Sequence, residues 1–115
     1  MFKRKKIYSI FIITVAALMY NISCMAADKQ DVDLKRAQKA LNKQQYERSF
    51  KIYKKLAEDG NSLAQFSVGL FYRSGWGRSV DDDTACSWFE KAAEGNIPAA
   101  AHFFGECLVG KIEKD

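Results

Sequence analysis

The sequence holds one histidine, one proline and three cysteines in 115 residues, and each scarcity excludes something. His102 is the one imidazole base on offer, and no obvious Ser/His/Asp set is spaced around it, so nucleophilic catalysis of that kind has little support. A structural metal site wants four ligands, and His102 stands five residues before Cys107, about 140° away around a helix. Asp81, Asp82 and Asp83 lack the alternating ligands, central glycine and closing glutamate of a calcium-binding loop. There is no low-complexity linker and no convincing strand. The expectation is therefore a non-enzymatic protein with no cofactor and no metal.

An excess of charge is also missing once the N-terminus is set apart. Lys3, Arg4, Lys5 and Lys6 precede an apolar run, Ile7 to Tyr20, and Cys24-Met25-Ala26 follows with small residues at the −3 and −1 positions. That order is the one a secretory signal needs, with cleavage before Ala27. Residues 1–26 are expected to be a signal peptide and 27–115 the mature domain, periplasmic or secreted. The apolar run is short for a membrane anchor, which needs about 20 residues. Lipidation at Cys24 is the other alternative, but Asn21 stands at −3 where a lipoprotein signal has leucine. The n-region holds four of the 18 basic residues, which leaves 14 against 14 acidic ones in the mature chain. A nucleic-acid partner needs a basic domain face and is not expected. The balance is uneven along the chain: residues 27–55 carry nine Lys or Arg against four acids, and 56–115 carry five against ten. Such a split reads as two solvated helical faces, or as a dipolar surface that orients a partner or a second copy.

What is present is helical periodicity. Leu34, Ala37 and Leu41 make one stripe in a helix over 31–44. A second helix spans 46–59 with Ile52, Tyr53, Leu56 and Ala57 inward, closed by Gly60-Asn61. A third covers 62–74 with Ala64, Val68, Phe71 and Tyr72 on one face. A loop at 75–80 leads to the aspartate triplet, which suits the N-terminus of a fourth helix because carboxylates cap its free N–H groups. That helix turns Ala85, Trp88, Phe89 and Ala92 inward and ends at Glu94. The single proline, Pro98, sits in the first turn of a fifth helix, where its missing N–H is harmless. This helix is expected to end near Gly110, with the last five residues frayed.

The stretch Leu56–Gly69 returns 36 residues later as Ala92–Gly105, with Tyr53 on Phe89, Ala64 on Ala100 and Gly69 on Gly105. The turn glycine alone slips, from Gly60 to Gly95. A fixed period of this length is the signature of stacked repeats. The expected fold is all-α, an α/α solenoid of about five antiparallel helices. Its parts are an atypical first helix pair (31–60), a complete repeat (61–96) and a terminal half repeat (97–110). Mid-helix Gly69 costs about 1 kcal/mol relative to alanine, which close approach of a neighbouring helix would explain, and Gly105 repeats the choice.

Ala64-Gln65-Phe66-Ser67-Val68-Gly69, Tyr72, Gly75-Trp76-Gly77, Asp81, Ala85, Trp88-Phe89 and Lys91-Ala92-Ala93-Glu94 together resemble a Sel-one-like repeat, a subclass of tetratricopeptide-like helical repeats. The resemblance covers residues 46–110, with Arg78 and Thr84 standing where that pattern has valine and lysine. It implies a superhelix of helix pairs that binds proteins. Exported relatives are similar to adaptors or assembly factors of the bacterial envelope, or, alternatively, to periplasmic immunity proteins that inhibit a delivered toxin enzyme. No small-molecule substrate is implied for either; an enzyme acting on cell-wall or β-lactam substrates is a distant third.

Two cysteines remain after signal removal. Cys86 and Cys107 are equidistant from the turn joining the last two helices, so an antiparallel hairpin places them side by side, and they map onto Phe50 and Phe71 of the preceding unit. In an oxidising compartment they are expected to form a disulfide, with two buried free thiols as the alternative. Phe66 and Leu70 map onto His102 and Glu106, polar residues that suit the wet outer face of an end repeat. Trp76 lies between two glycines in a loop, flanked by Arg73 and Arg78. It reads either as an exposed binding hot spot or as a ring folded back over the adjacent helix pair. Trp76, Arg73, Arg78, Phe66 and Leu70 are the candidate partner-binding residues.

Overall fold

A computed structural model of the chain describes residues 2–114. Among these are five α-helices and no strand: α1 (Phe2–Asn42), α2 (Tyr46–Glu58), α3 (Ser62–Ser74), α4 (Asp82–Glu94) and α5 (Pro98–Lys114). The all-α class is as expected. The chain divides between Val32 and Asp33 into two units. The first is the N-terminal stretch of α1, whose large apolar side chains, such as Ile7, Phe11 and Leu18, are exposed. By length and composition it is apolar enough to cross a membrane, a property that an N-terminal signal sequence shares. Cys24 lies here, exposed and unpaired.

The expected helix start at Asp31 is not observed, because α1 continues unbroken from Phe2. No glycine or proline occurs before Gly60, so nothing in the backbone interrupts it. The helix stops at Asn42, and the chain reverses through Lys43–Gln45, where Gln44 adopts φ 59°.

In the second unit the helices pack in chain order, α2 on α3, α3 on α4 and α4 on α5. Ala37, Tyr53, Leu56, Ala57, Ala64, Val68 and Phe71 make one buried core. Ser49 is also fully buried, and its hydroxyl donates to the Ala37 carbonyl at 2.8 Å. That bond satisfies the polar atom and pins α2 to the last turns of α1. Further along, Ala85, Phe89, Ala92 and Ala100 are buried between α3, α4 and α5. Phe89 lies against Gly69, where a Cβ would stand 2.5 Å from the ring. The mid-helix glycine is thus explained by close helix approach. At Gly105 the same construction meets nothing within 4 Å.

The helix ends follow their local chemistry. The Asn61 side chain accepts from the Ala64 N–H at 2.9 Å, and Asp81 accepts from the Thr84 N–H at 3.0 Å. The aspartate triplet therefore acts as a cap followed by two acids in the first turn of α4. The glycine slip turns out not to be a slip of the backbone. The left-handed residue after α2 is Gly60, at φ 93°, and after α4 it is Asn96, at φ 63°, which is the same place in the 36-residue period. Asparagine tolerates this conformation. Gly95 is not left-handed (φ −82°), and a Cβ on it would collide with Ser62. The expected end of the last helix at Gly110 is also corrected. α5 runs on to Lys114, with Lys111 and Lys114 in its last turn where cations favour the carbonyl end.

Candidate protein-interaction surface

The five candidate contact residues fall into two groups. Gly75 ends α3 in the left-handed conformation (φ 68°), and Gly77 repeats it (φ 67°), which folds the following loop back toward α2. Here Trp76 stacks parallel to Tyr46 at 6.3 Å and meets Phe71 edge-on at 5.3 Å. It is half-buried, so the structure adopts the folded-back alternative. Arg78 follows it inward. Its guanidinium carbon lies 3.1 Å from the centre of the Phe50 ring, it pairs with Glu47 at 3.6 Å, and its side chain is only 17% exposed. Arginine is suited to such stacking because its planar, weakly hydrated cation loses little on leaving water. Trp76 and Arg78 thus form a latch that closes the loop over α2.

Arg73 goes the other way. It reaches across to α5, where it pairs with Glu106 at 2.9 Å and covers the Phe103 ring at 4.6 Å. Glu106 also faces His102 at 3.5 Å, and the His102 ring meets Phe103 edge-on. Beneath this polar layer Phe66 contacts Phe89 and Phe103, each at 5.8 Å, while Phe89 and Phe103 stack at 5.1 Å. Leu70 is half-buried beside them on α3. The structure therefore brings Phe66, Leu70 and Arg73 onto one face with Phe103, His102 and Glu106 of α5. Sequence reasoning assigned His102 and Glu106 to solvent capping and missed Phe103. The 36-residue offset that pairs Phe66 with His102 gives each residue's counterpart, not its neighbour, so the link from Arg73 to α5 was hidden.

Exposure decides what this face can do. Arg73, His102 and Glu106 are exposed at the side chain (39%, 72% and 46%), over an aromatic floor that is partly covered. An arginine held flat over a ring by a carboxylate is oriented before any partner arrives, which reduces the side-chain entropy lost on binding. Among the described residues no three His, Cys, Asp or Glu side chains converge to hold a metal ion.

Next to this face, Cys86 and Cys107 line one concavity with Arg73 and Glu106 and are joined by a disulfide, with Cα atoms 6.0 Å apart. A loop of 21 residues closed in this way stabilises the fold by roughly 3 kcal/mol in the chain-entropy model. The equivalent pair, Phe50 and Phe71, is in ring contact at 5.6 Å.

Consecutive antiparallel helices, joined by turns whose left-handed residue recurs at Gly60 and Asn96, define an α/α helical-repeat protein. Comparison with family models narrows the class. The Sel1 repeat matches residues 43–61 and 62–97, so the chain carries two such repeats. The second match covers α3, α4 and the turn after them. No curated protein and no solved structure gives a significant match. Sel1 repeats are in general protein–protein interaction modules and typically non-catalytic.

Proposed function

We propose that the chain is an exported interaction module, an adaptor or assembly factor of a bacterial envelope, which binds a protein partner through the α3–α5 face. The observation that carries this reading is the Arg73–Glu106 pair laid over Phe103, with Phe66 and Leu70 beside it. It offers an oriented cation and apolar surface together, the combination enriched at binding hot spots. Two features support export with removal of residues 1–26: the basic n-region before an apolar stretch, and a disulfide, which persists in oxidising compartments.

Crosslinking in intact cells, followed by capture of the exported protein, tests the reading. Leu70→Asp with Arg73→Ala is expected to lose the partner while helical content is kept. Trp76→Ala is expected to lower stability and to leave the crosslinked set unchanged at temperatures where it is folded. The same crosslinks in the α3–α5 variant as in wild type would remove the face from consideration.

A further inference from the structure

The turn between α1 and α2 holds a cleft of about 260 Å³ lined by Arg36, Lys39, Ala40, Lys43, Gln45 and Arg48. Four of these six are cations and none is acidic. Arg36 pairs with Asp33 at 3.0 Å. The side chains of Lys39, Lys43 and Arg48 have no ion-pair or hydrogen-bond partner among the described residues. All four cations are exposed.

Helix stability explains only part of this cluster. Lys39 lies in the last turn of α1, where a cation meets the carbonyl end favourably. Arg48 is in the first turn of α2, where a cation faces the positive end of the helix. The same turn of α4 carries Asp82 and Asp83 and no cation, whereas α2 has Glu47 beside Arg48. Like charges grouped around one concavity repel each other, so the fold gains nothing from collecting them. What they do together is attract an anion.

We infer that this cleft receives an acidic segment of a protein partner, with at least two carboxylates entering between the α1 and α2 cations. The inference rests on the reading of the chain as an interaction module and gives that partner a second, chemically defined contact. Concavity favours side-chain carboxylates over a lipid surface: a membrane is flat and meets protruding cations, whereas the charges here line a recess. The chain's own Asp81–Asp83 triplet could also enter it from a second copy, an outcome the test below separates.

The test uses the full chain and fluorescein-labelled octaglutamate, with binding read by anisotropy. Lys39→Gln with Arg48→Gln is expected to weaken binding about tenfold at roughly 50 mM salt, with the difference shrinking toward 0.5 M as charges are screened. Lys51→Gln with Lys55→Gln removes the same charge from α2 outside the cleft and is expected to change binding less than twofold. Equal loss in both variants, or no loss in either, overturns the site. Preferential binding to phosphatidylcholine vesicles containing phosphatidylglycerol overturns the acidic-segment assignment in favour of a membrane. Dimerisation in sedimentation that is lost in Asp82→Asn with Asp83→Asn overturns it in favour of a second copy. The two functional readings fail separately: the α3–α5 face is judged by cellular crosslinks, the cleft by the anisotropy of the purified chain.

Discussion

Positions 50 and 71 hold two phenylalanines in ring contact, and positions 86 and 107, one period later, hold two bonded cysteines. The same two places in the helical hairpin are thus closed first by packing and then by a covalent bond. The first pair sits inside a broad core, beneath Trp76 and Arg78 and next to Tyr72. The second lies near the end of the described helices, where α5 leaves Leu108, Val109 and Ile112 exposed. Aromatic contact stabilises in proportion to the apolar area it removes from water, so it is worth most inside a core. A disulfide acts largely on the unfolded chain and needs no such surroundings. The contrast teaches where this fold is short of core, and covalent closure appears there.

The largest expected effect breaks the weaker half of that comparison. Cys86→Ser with Cys107→Ser should lower stability by roughly 3 kcal/mol, read in urea unfolding by tryptophan fluorescence. Reducing the wild type should give the same shift, and reductant should leave the variant unchanged. Unequal shifts would show that the serine substitutions, not the bond, are responsible.

A middle-sized effect contrasts the two glycines. Gly69→Ala forces a methyl group into the ring of Phe89, which is 0% exposed and has no room to yield, and should destabilise by about 2 kcal/mol. Gly105→Ala meets open space, replaces a glycine within α5, and should stabilise by about 0.5–1 kcal/mol. Thermal melts of the two variants check the opposite signs. A matching loss at Gly105 would mean that something covers it in solution.

The smallest effect concerns the caps. Hydrogen bonds from the Thr84 hydroxyl and backbone hold the Asp81 carboxyl below its usual range. A depressed folded-state value means that this contribution is present above the unfolded-state value, about 3.9, and is lost as pH falls through the lower folded value. Asp81→Ala should therefore be less stable than wild type near neutrality, with the two acid-unfolding curves converging below pH 4. A constant gap down to pH 2 would show that the cap acts without its charge.

Much of this was legible before any coordinates. Core positions from Tyr53 to Ala92 follow the 3.6-residue period, because a helix buries one stripe whatever its partner. The Cys86–Cys107 pairing followed from two positions equidistant from one turn. Other features were not legible, for reasons that can be named. The left-handed position stayed fixed while its residue changed from Gly60 to Asn96, so a glycine search misplaced it. The end of α5 was missed because a mid-helix glycine only weakens a helix and does not stop it.

The candidate surfaces divide along the same line. The residue types at 66, 70, 73, 76 and 78 marked a region worth attention, and the charge split between 27–55 and 56–115 marked a polarity. The sequence by itself determined where the helices lie, though not where α1 starts or α5 ends, together with their repeat, the Asn61 and Asp81 caps and the closeness of Cys86 to Cys107, since each depends on local pattern or on symmetry about one turn. Tertiary structure alone decided that Trp76 and Arg78 turn inward over α2 while Arg73 crosses to Phe103 and Glu106. Where a long side chain points depends on which neighbours leave it space and charge, and those neighbours come from helices far apart in the chain.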